Sequence, residues 1–334
     1  MAVGLAQETA EQLLEAAQQA LAQGDEEAAC ASLRQAADVG REDFEMMSQC
    51  GAMMAEVGPP EEATAILQAA IAMQPNGSHE NYLCLAQLLE GAPAVTACQK
   101  GVDLLESDTL QAGEAGAHAQ LLSSALCTLA ETKMEVAAED GDASALTTVQ
   151  TEAEQTLQRS HTICASNPEP LQALAQLRSS QDRREEAVTL LKQSTALWLG
   201  KQGKEEGTGD AMQEGEADGQ QAQEEPEGLL ASLPPYAFRI ETAKLLLDLD
   251  ATTSSAEEVL EGLLEEDESC LEVWYLLALA QYAGGAPDVA KETLQALDDL
   301  LAKPGAIAPT DDPPDLLDLK DAVMQSMAGK NSDP

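Results

Sequence analysis

A sixteen-residue offset between two short helical patterns recurs along this chain, and it limits the possible folds more than any other feature. In its most complete copy, Trp274, Leu277, Ala278 and Gln281 share one helix face, and Ala290 follows sixteen residues after the tryptophan. The copy predicts two antiparallel helices that cross closely at the two alanines. Such a hairpin cannot bury its apolar face alone, so a chain of them must stack.

Four more copies of this offset lie upstream, so the pattern is an internal repeat and not a chance match. Their first helices carry Leu13, Met47, Leu171 and Ile240, and their second helices carry Ala29, Ala63, Ala187 and Ala256. In the Ile240 copy, Lys244 replaces the small residue of the first helix. Two further units are irregular, one with a shortened turn at 91–93 and one with two long helices split near 139–142.

The pattern resembles the tetratricopeptide repeat (TPR). We therefore predict an all-α, TPR-type helical-hairpin solenoid of about seven repeats, two of them irregular. We expect a right-handed superhelix whose concave surface is lined by the first helix of each hairpin.

Composition agrees with helices and divides the chain. Hydrophobic residues make up 44% of it but aromatic residues only 2%, a balance that disfavours sheets.

We predict an N-terminal solenoid over 1–200 and a C-terminal pair of repeats over 233–303. Residues 201–232 lack apolar periodicity and are rich in Glu, Gly and Gln, which predicts a disordered acidic insertion. For 304–334 we expect an acidic tail, partly helical or disordered, in which 316–327 caps the last repeat.

The net charge restricts the partners. Sixty acidic residues against seventeen basic ones give a formal charge of −43. This charge opposes direct binding to nucleic acid, which requires cations to replace counterions on the phosphates. It favours a basic protein segment and predicts a strong dependence on salt. Alternatively, the carboxylates only keep an Ala-rich surface soluble, and charge alone does not separate the two interpretations.

Candidate binding residues follow from TPR geometry, as positions beside the buried anchors of the first helices. Carboxylates and aromatic rings at such positions suit Arg and Lys side chains. The predicted partner-binding residues are Glu45, Glu56, Asn81, Glu169, Glu241, Asp248, Glu272, Tyr275 and Tyr282. For any one of them the alternative is a solvated helix face. Segments 11–21 and 44–57 contain no Lys or Arg, which argues against a clamp for the acidic C-termini of Hsp90 and Hsp70.

Patterns typical of enzymes and metal sites are missing from the sequence. The three histidines lie on separate elements, and neither a CxxC pair nor a phosphate-binding glycine loop occurs. We expect no enzyme activity, no cofactor and no metal. The seven cysteines are odd in number and widely spaced, which favours a reducing compartment. With neither a signal segment nor a long apolar run, we expect a soluble intracellular protein without membrane contact.

Three stretches carry a narrower resemblance. They read LEGLLEEDESCLEVWYLLALAQYAGG at 260–285, LPPYAFRIE at 233–241 and LAQLRSSQ at 174–181. With the order of repeats, acidic insertion and final repeat, they resemble the acidic TPR assembly chaperones dedicated to ribosomal protein four of the large subunit. The resemblance implies a chaperone that captures this newly made basic protein, shields it and escorts it from cytoplasm to nucleus. We expect a monomer. The alternative is a TPR scaffold or adaptor that joins non-ribosomal proteins.

Overall fold

The computed structural model describes residues 2–108, 115–139, 141–199, 233–249 and 253–302, together with 320 and 323, and in these ranges every regular element is an α-helix. The fourteen helices are α1 Ala2–Ala22, α2 Glu26–Val39, α3 Phe44–Val57, α4 Pro60–Met73, α5 His79–Leu88, α6 Gly91–Asp108, α7 Ala115–Glu139, α8 Ala143–Ile163, α9 Glu169–Ser180, α10 Arg184–Ala196, α11 Tyr236–Asp248, α12 Thr253–Glu266, α13 Leu271–Ala283 and α14 Pro287–Leu301. Successive helices pair as seven hairpins, α1/α2 through α13/α14. The predicted all-α TPR-type fold is confirmed.

The chain divides into two compact units, Met1–Ala173 and Leu174–Pro334, and the division falls within α9. In the first unit, one hydrophobic cluster joins α1 to α4 around Leu33 and Met54, and a second joins α5 to α7 around Leu105. In the second unit, the main cluster combines Leu191 and Trp198 with side chains of α11, α12 and α13. This core therefore contains residues from both sides of the 200–232 segment.

The small residues of the repeat pattern lie where the two helices of a hairpin cross. Ala63, Ala187 and Ala290 have no exposed surface. A Cβ atom added to Gly51 on α3 would lie 2.7 Å from Leu67 Cδ2 on α4, far inside van der Waals contact. The helices can approach this closely only because the position carries no side chain.

The structure confirms the prediction for one irregular unit and contradicts the prediction for the other. Helices α7 and α8 confirm the prediction of two long helices separated near 139–142. The shortened turn predicted at 91–93 is wrong, because these residues form the first turn of α6 and only Leu89 and Glu90 connect it to α5. A proline in the first turn breaks no helical hydrogen bond, and Gly91 adopts the positive φ of 65° that the reversal requires.

The last hairpin is contacted by two residues of the tail. Val323 is 1% exposed and packs with Ala278, Ala290 and Leu294, and Lys320 Nζ donates a hydrogen bond to Asp298 Oδ1. The remainder of the tail and the predicted insertion at 201–232 lie outside the described residues.

We predict that Gly51→Ala destabilises the first unit. The added methyl group must displace the buried Leu67 side chain, so the free energy of unfolding should fall by about 1–3 kcal/mol. Urea unfolding followed by circular dichroism measures the change. Gly116→Ala, in the first turn of α7, is the matched control, since no heavy atom lies within 4 Å of its added Cβ. Equal stability of Gly51→Ala and the wild type would contradict this account of the crossing.

Candidate protein-binding site

An open acidic groove runs along the first helices α1, α3 and α5 of the first unit. It comprises two adjoining clefts of about 550 and about 440 Å³ that share Gln18, Glu45 and Gln49. Five exposed carboxylates line it: Glu11, Glu15, Glu45, Glu56 and Glu80. Among the described residues that line these clefts there is no Lys, Arg or His. We call these two clefts the N-terminal groove.

The N-terminal groove also has apolar surface between its carboxylates. Phe44 and Met53 are half-buried and line one cleft, while the buried Leu14 and Met46 border the other. Lysine and arginine have long aliphatic stems below their charged heads. A surface that alternates carboxylates with thioether and aromatic groups can therefore contact both parts of a basic side chain.

Two polar contacts hold the helices that border the groove. The carboxylate of Asp43 accepts hydrogen bonds from the backbone N–H groups of Glu45 (3.0 Å) and Met46 (3.3 Å). Asp43 is therefore the N-cap of α3, which begins at Phe44. Asn81 Nδ2 on α5 donates to Ser48 Oγ on α3 over 2.8 Å. Asn81 is only 2% exposed, so its side chain joins two helices and presents almost no surface to a partner, in contrast to the sequence-based prediction.

Glu169 lies at the start of α9, close to two carboxylates of α7 that sequence reasoning missed. Asn167, which is fully buried, accepts a hydrogen bond from the Glu169 N–H (3.1 Å) and donates to Ser123 Oγ on α7 (3.0 Å). Glu131 keeps an exposed surface, but its carboxyl group is partly desolvated by the surrounding protein. This desolvation, together with the charges of Glu169 and Glu135, raises the pKa of Glu131 to about 7. Glu169 and Glu135 thus both repel the ionised form of Glu131.

In the second unit, two predicted residues share a cation of the chain itself. Lys244 Nζ on α11 lies 2.8 Å from Glu241 Oε1 on the same helix and 2.7 Å from Glu272 Oε1 on α13. The exposed Asp248 accepts a hydrogen bond through its backbone carbonyl from Arg184 Nη2 (3.0 Å). Unlike the N-terminal groove, this surface is partly neutralised.

The two predicted tyrosines have a different environment from the carboxylates. Tyr275 and Tyr282 are half-buried and pack against the cluster around Leu294 and Leu297 of the last hairpin. Only part of each ring is therefore open to a partner.

The Leu-Pro-Pro-Tyr stretch at 233–236 contributes to packing at the start of α11. Arg239 is 5% exposed and donates from Nε to the Pro234 carbonyl (2.9 Å). Its other two nitrogens donate to the two carboxylate oxygens of Glu266 (2.7 and 2.6 Å), and its guanidinium carbon lies 5.8 Å from the centre of the Tyr236 ring. The hydrogen bonds from Arg239 lower the pKa of Glu266. The stretch thus anchors a buried arginine at the start of α11.

Sequence reasoning placed Glu45 and Glu56 correctly on a common helix but missed most of their neighbours. It omitted Glu11, Glu15 and Glu80 in the groove, Glu131 and Glu135 on α7, and Lys244 on α11. The spacing of Glu11 and Glu15, four residues apart on a first helix, was the available signal.

In the part of the chain that the structure describes, no three His, Cys, Asp or Glu side chains come together as a metal site requires. No helix among the described residues is both long and apolar enough to cross a membrane.

The paired helices, with their acidic first-helix surfaces, define a TPR-type repeat protein. Comparison with known proteins shows which proteins of this class the chain is similar to. No family model matches the sequence. The chain is 28% identical over 268 residues to a Schizosaccharomyces pombe protein named "Probable assembly chaperone of rpl4", which covers 76% of this chain and 70% of that protein. It is also similar to a solved structure of the assembly chaperone of RpL4 (Acl4), with 26% identity, a TM-score of 0.59 and coverage of 85% of this chain and 99% of that one. The resemblance to the acidic TPR assembly chaperones of ribosomal protein four is confirmed.

We predict that Glu131 makes stability depend on pH near neutrality. Its pKa in the folded protein, about 7, lies above its ordinary value of 4.5, so the folded state holds more protons between these values. The free energy of unfolding should therefore fall as pH rises through this window, and Glu131→Gln should reduce that fall. Urea unfolding at a series of pH values measures it, with Glu152→Gln on the exposed face of α8 as the control. If Glu131→Gln left the pH dependence of unfolding unchanged, the surroundings of Glu131 would not raise its pKa as described.

Proposed function

We propose that this protein is a dedicated chaperone that binds newly made ribosomal protein four of the large subunit and escorts it during ribosome assembly. The names of the two similar proteins support this assignment. The observation that carries it is the N-terminal groove, where five exposed carboxylates surround apolar side chains and, among the described lining residues, have no neutralising cation.

The proposed mechanism begins with long-range attraction. A net charge of −43 steers a basic protein toward the chaperone and repels RNA that competes for the same basic segments. Salt weakens this attraction because the interacting carboxylates are exposed. The acidic residues of 201–232 contribute to the same field.

Short-range contacts then hold the client. Carboxylates such as Glu45 and Glu56 accept charge-assisted hydrogen bonds from Lys and Arg heads, and Phe44 and Met53 contact their stems. Covering these stems and heads keeps the client from aggregating. The same chemistry suits the carboxylates of Glu131, Glu135 and Glu169.

This function requires no catalytic group, cofactor or metal. It assigns the protein to the cytoplasm and the nucleus, where a ribosomal protein is made and assembled, and it works with a single copy of the chain. Direct contact with nucleic acid is not part of it.

We predict that charge reversal in the groove weakens client binding more than the same reversal elsewhere. The triple variant Glu45→Lys, Glu56→Lys, Glu80→Lys should bind ribosomal protein four at least about tenfold more weakly, since each close charge pair contributes about 0.5 kcal/mol or more. Isothermal titration calorimetry at about 50 to about 300 mM salt gives the affinities, and the dependence on salt should become less steep.

The matched control has the same net charge but leaves the groove intact. Asp38, Glu90 and Glu152 are exposed and do not line either cleft, and their reversal to Lys should cost clearly less affinity. Equal losses in the two triple variants would show that only net charge matters and would refute the groove as the site. Stoichiometric recovery of non-ribosomal partners from native cells at low salt, without ribosomal protein four, would instead favour an adaptor.

A further inference from the structure

A third cleft opens at the start of α3, beside the N-terminal groove. Its volume is about 790 Å³, larger than that of either cleft of the groove. It shares Glu45 with both of those clefts and Phe44 with the one that contains Glu56. The third cleft, which we call the α3 cleft, therefore adjoins the surface that we propose for the basic client.

The α3 cleft presents apolar side chains to solvent. Its apolar lining residues are Ala10, Val39, Phe44 and Met46. Val39, the last residue of α2, is 39% exposed, and it is one of only four large hydrophobic side chains that are exposed in the described part of the chain. Met73 is another, and it ends α4 directly before a residue that lines the cleft. Exposed apolar surface beside a cleft is typical of a binding site.

Two glycines allow the side chains of the α3 cleft to lie against backbone. A Cβ atom added to Gly77, in the turn between α4 and α5, would lie 2.6 Å from Phe44 Cζ. A Cβ atom added to Gly40 would overlap Met46 Cγ. This close backbone contact restricts the motion of both side chains. The cleft is therefore formed before a partner binds, which limits the entropic cost of binding.

We propose that the α3 cleft takes an apolar side chain of the client that is flanked by lysine or arginine. This inference rests on the proposed function. The described lining residues carry three carboxylates against one guanidinium group, so the cleft favours a segment with positive charge. A leucine-sized side chain that contacts Val39 and Phe44 is removed from water, while its basic neighbours reach Glu45. The cleft thus distinguishes a basic segment that contains an apolar residue from one that is only basic.

The spacing along α3 sets the length of the segment. Glu45 and Glu56 are eleven residues apart on this helix, which corresponds to about 16 Å. An extended chain covers that distance in about five residues. A segment with its apolar residue in the α3 cleft can therefore place the next five or so residues along the N-terminal groove.

The test uses two twelve-residue peptides as probes of the full-length protein. In both peptides lysine alternates with serine, and in one of them leucine replaces a central serine. The wild type should bind the leucine peptide about three- to tenfold more tightly, the range for partial burial of one leucine side chain. In isothermal titration calorimetry, both affinities should fall from about 50 to about 300 mM salt. Their ratio should stay constant, because salt does not screen an apolar contact.

Variants of Val39 locate the preference in the α3 cleft. Val39→Asn removes apolar surface without changing the net charge, so it should at least halve the ratio of the two affinities. Val39→Thr keeps the shape of the side chain and should reduce the ratio less. Because Val39 is exposed, both variants should fold like the wild type, which circular dichroism checks. Val289→Asn, at an exposed valine of α14, is the matched control and should leave the ratio unchanged.

Equal affinities of the wild type for the two peptides would overturn the proposal, as would a ratio that both Val39 variants leave unchanged. A wild-type dimer that Val39→Asn converts to a monomer in sedimentation would also overturn it, because a second copy of the chain would then cover the cleft. Failure of the proposed function looks different, since the wild type would then not bind ribosomal protein four at low salt.

Discussion

Four hairpins of this protein depend on the close approach of two helices at a pair of small residues, whereas the α11/α12 hairpin has Lys244 at the first of these positions. Gly51 opposite Leu67 is a tight example, because even a methyl group would lie 2.7 Å from the leucine. Buried alanines such as Ala187 and Ala290 serve the same contact in other hairpins. Since this crossing buries one face of each helix, the polar face of the first helix remains available for binding.

Electrostatics decides which of these polar faces can bind a cation. The chain has only seventeen basic residues, and several pair with carboxylates away from the N-terminal groove, as Arg34 does with Glu62 and Arg159 with Glu106. Exposed pairs of this kind add little stability, but each holds a basic side chain that could otherwise neutralise another carboxylate. No Lys, Arg or His is among the described residues that line the N-terminal groove. In the second unit, Lys244 neutralises the comparable surface.

These two arrangements differ in how strongly they attract a basic segment. An unneutralised acidic groove attracts many cationic segments, because exposed carboxylates discriminate little between them. The Glu241–Glu272 pair, which Lys244 partly neutralises, attracts such segments less. The Arg239–Glu266 pair differs from both, since its arginine is buried and also donates to the Pro234 carbonyl just before α11.

The sequence by itself determined the helical hairpins, because the spacing of anchors and small residues within one repeat contains the whole signal. It also determined the charge and the resemblance to chaperones of ribosomal protein four. It misplaced the turn at 91–93, where proline and glycine are as compatible with a helix start as with a loop. Only the tertiary structure decided that Asn81 is buried against Ser48, that Glu80 joins Glu45 in one groove, and that Lys244 links Glu241 to Glu272. The reason is physical: each of these contacts is made between neighbouring repeats, and the periodicity of a single helix holds no information about what the next helix presents.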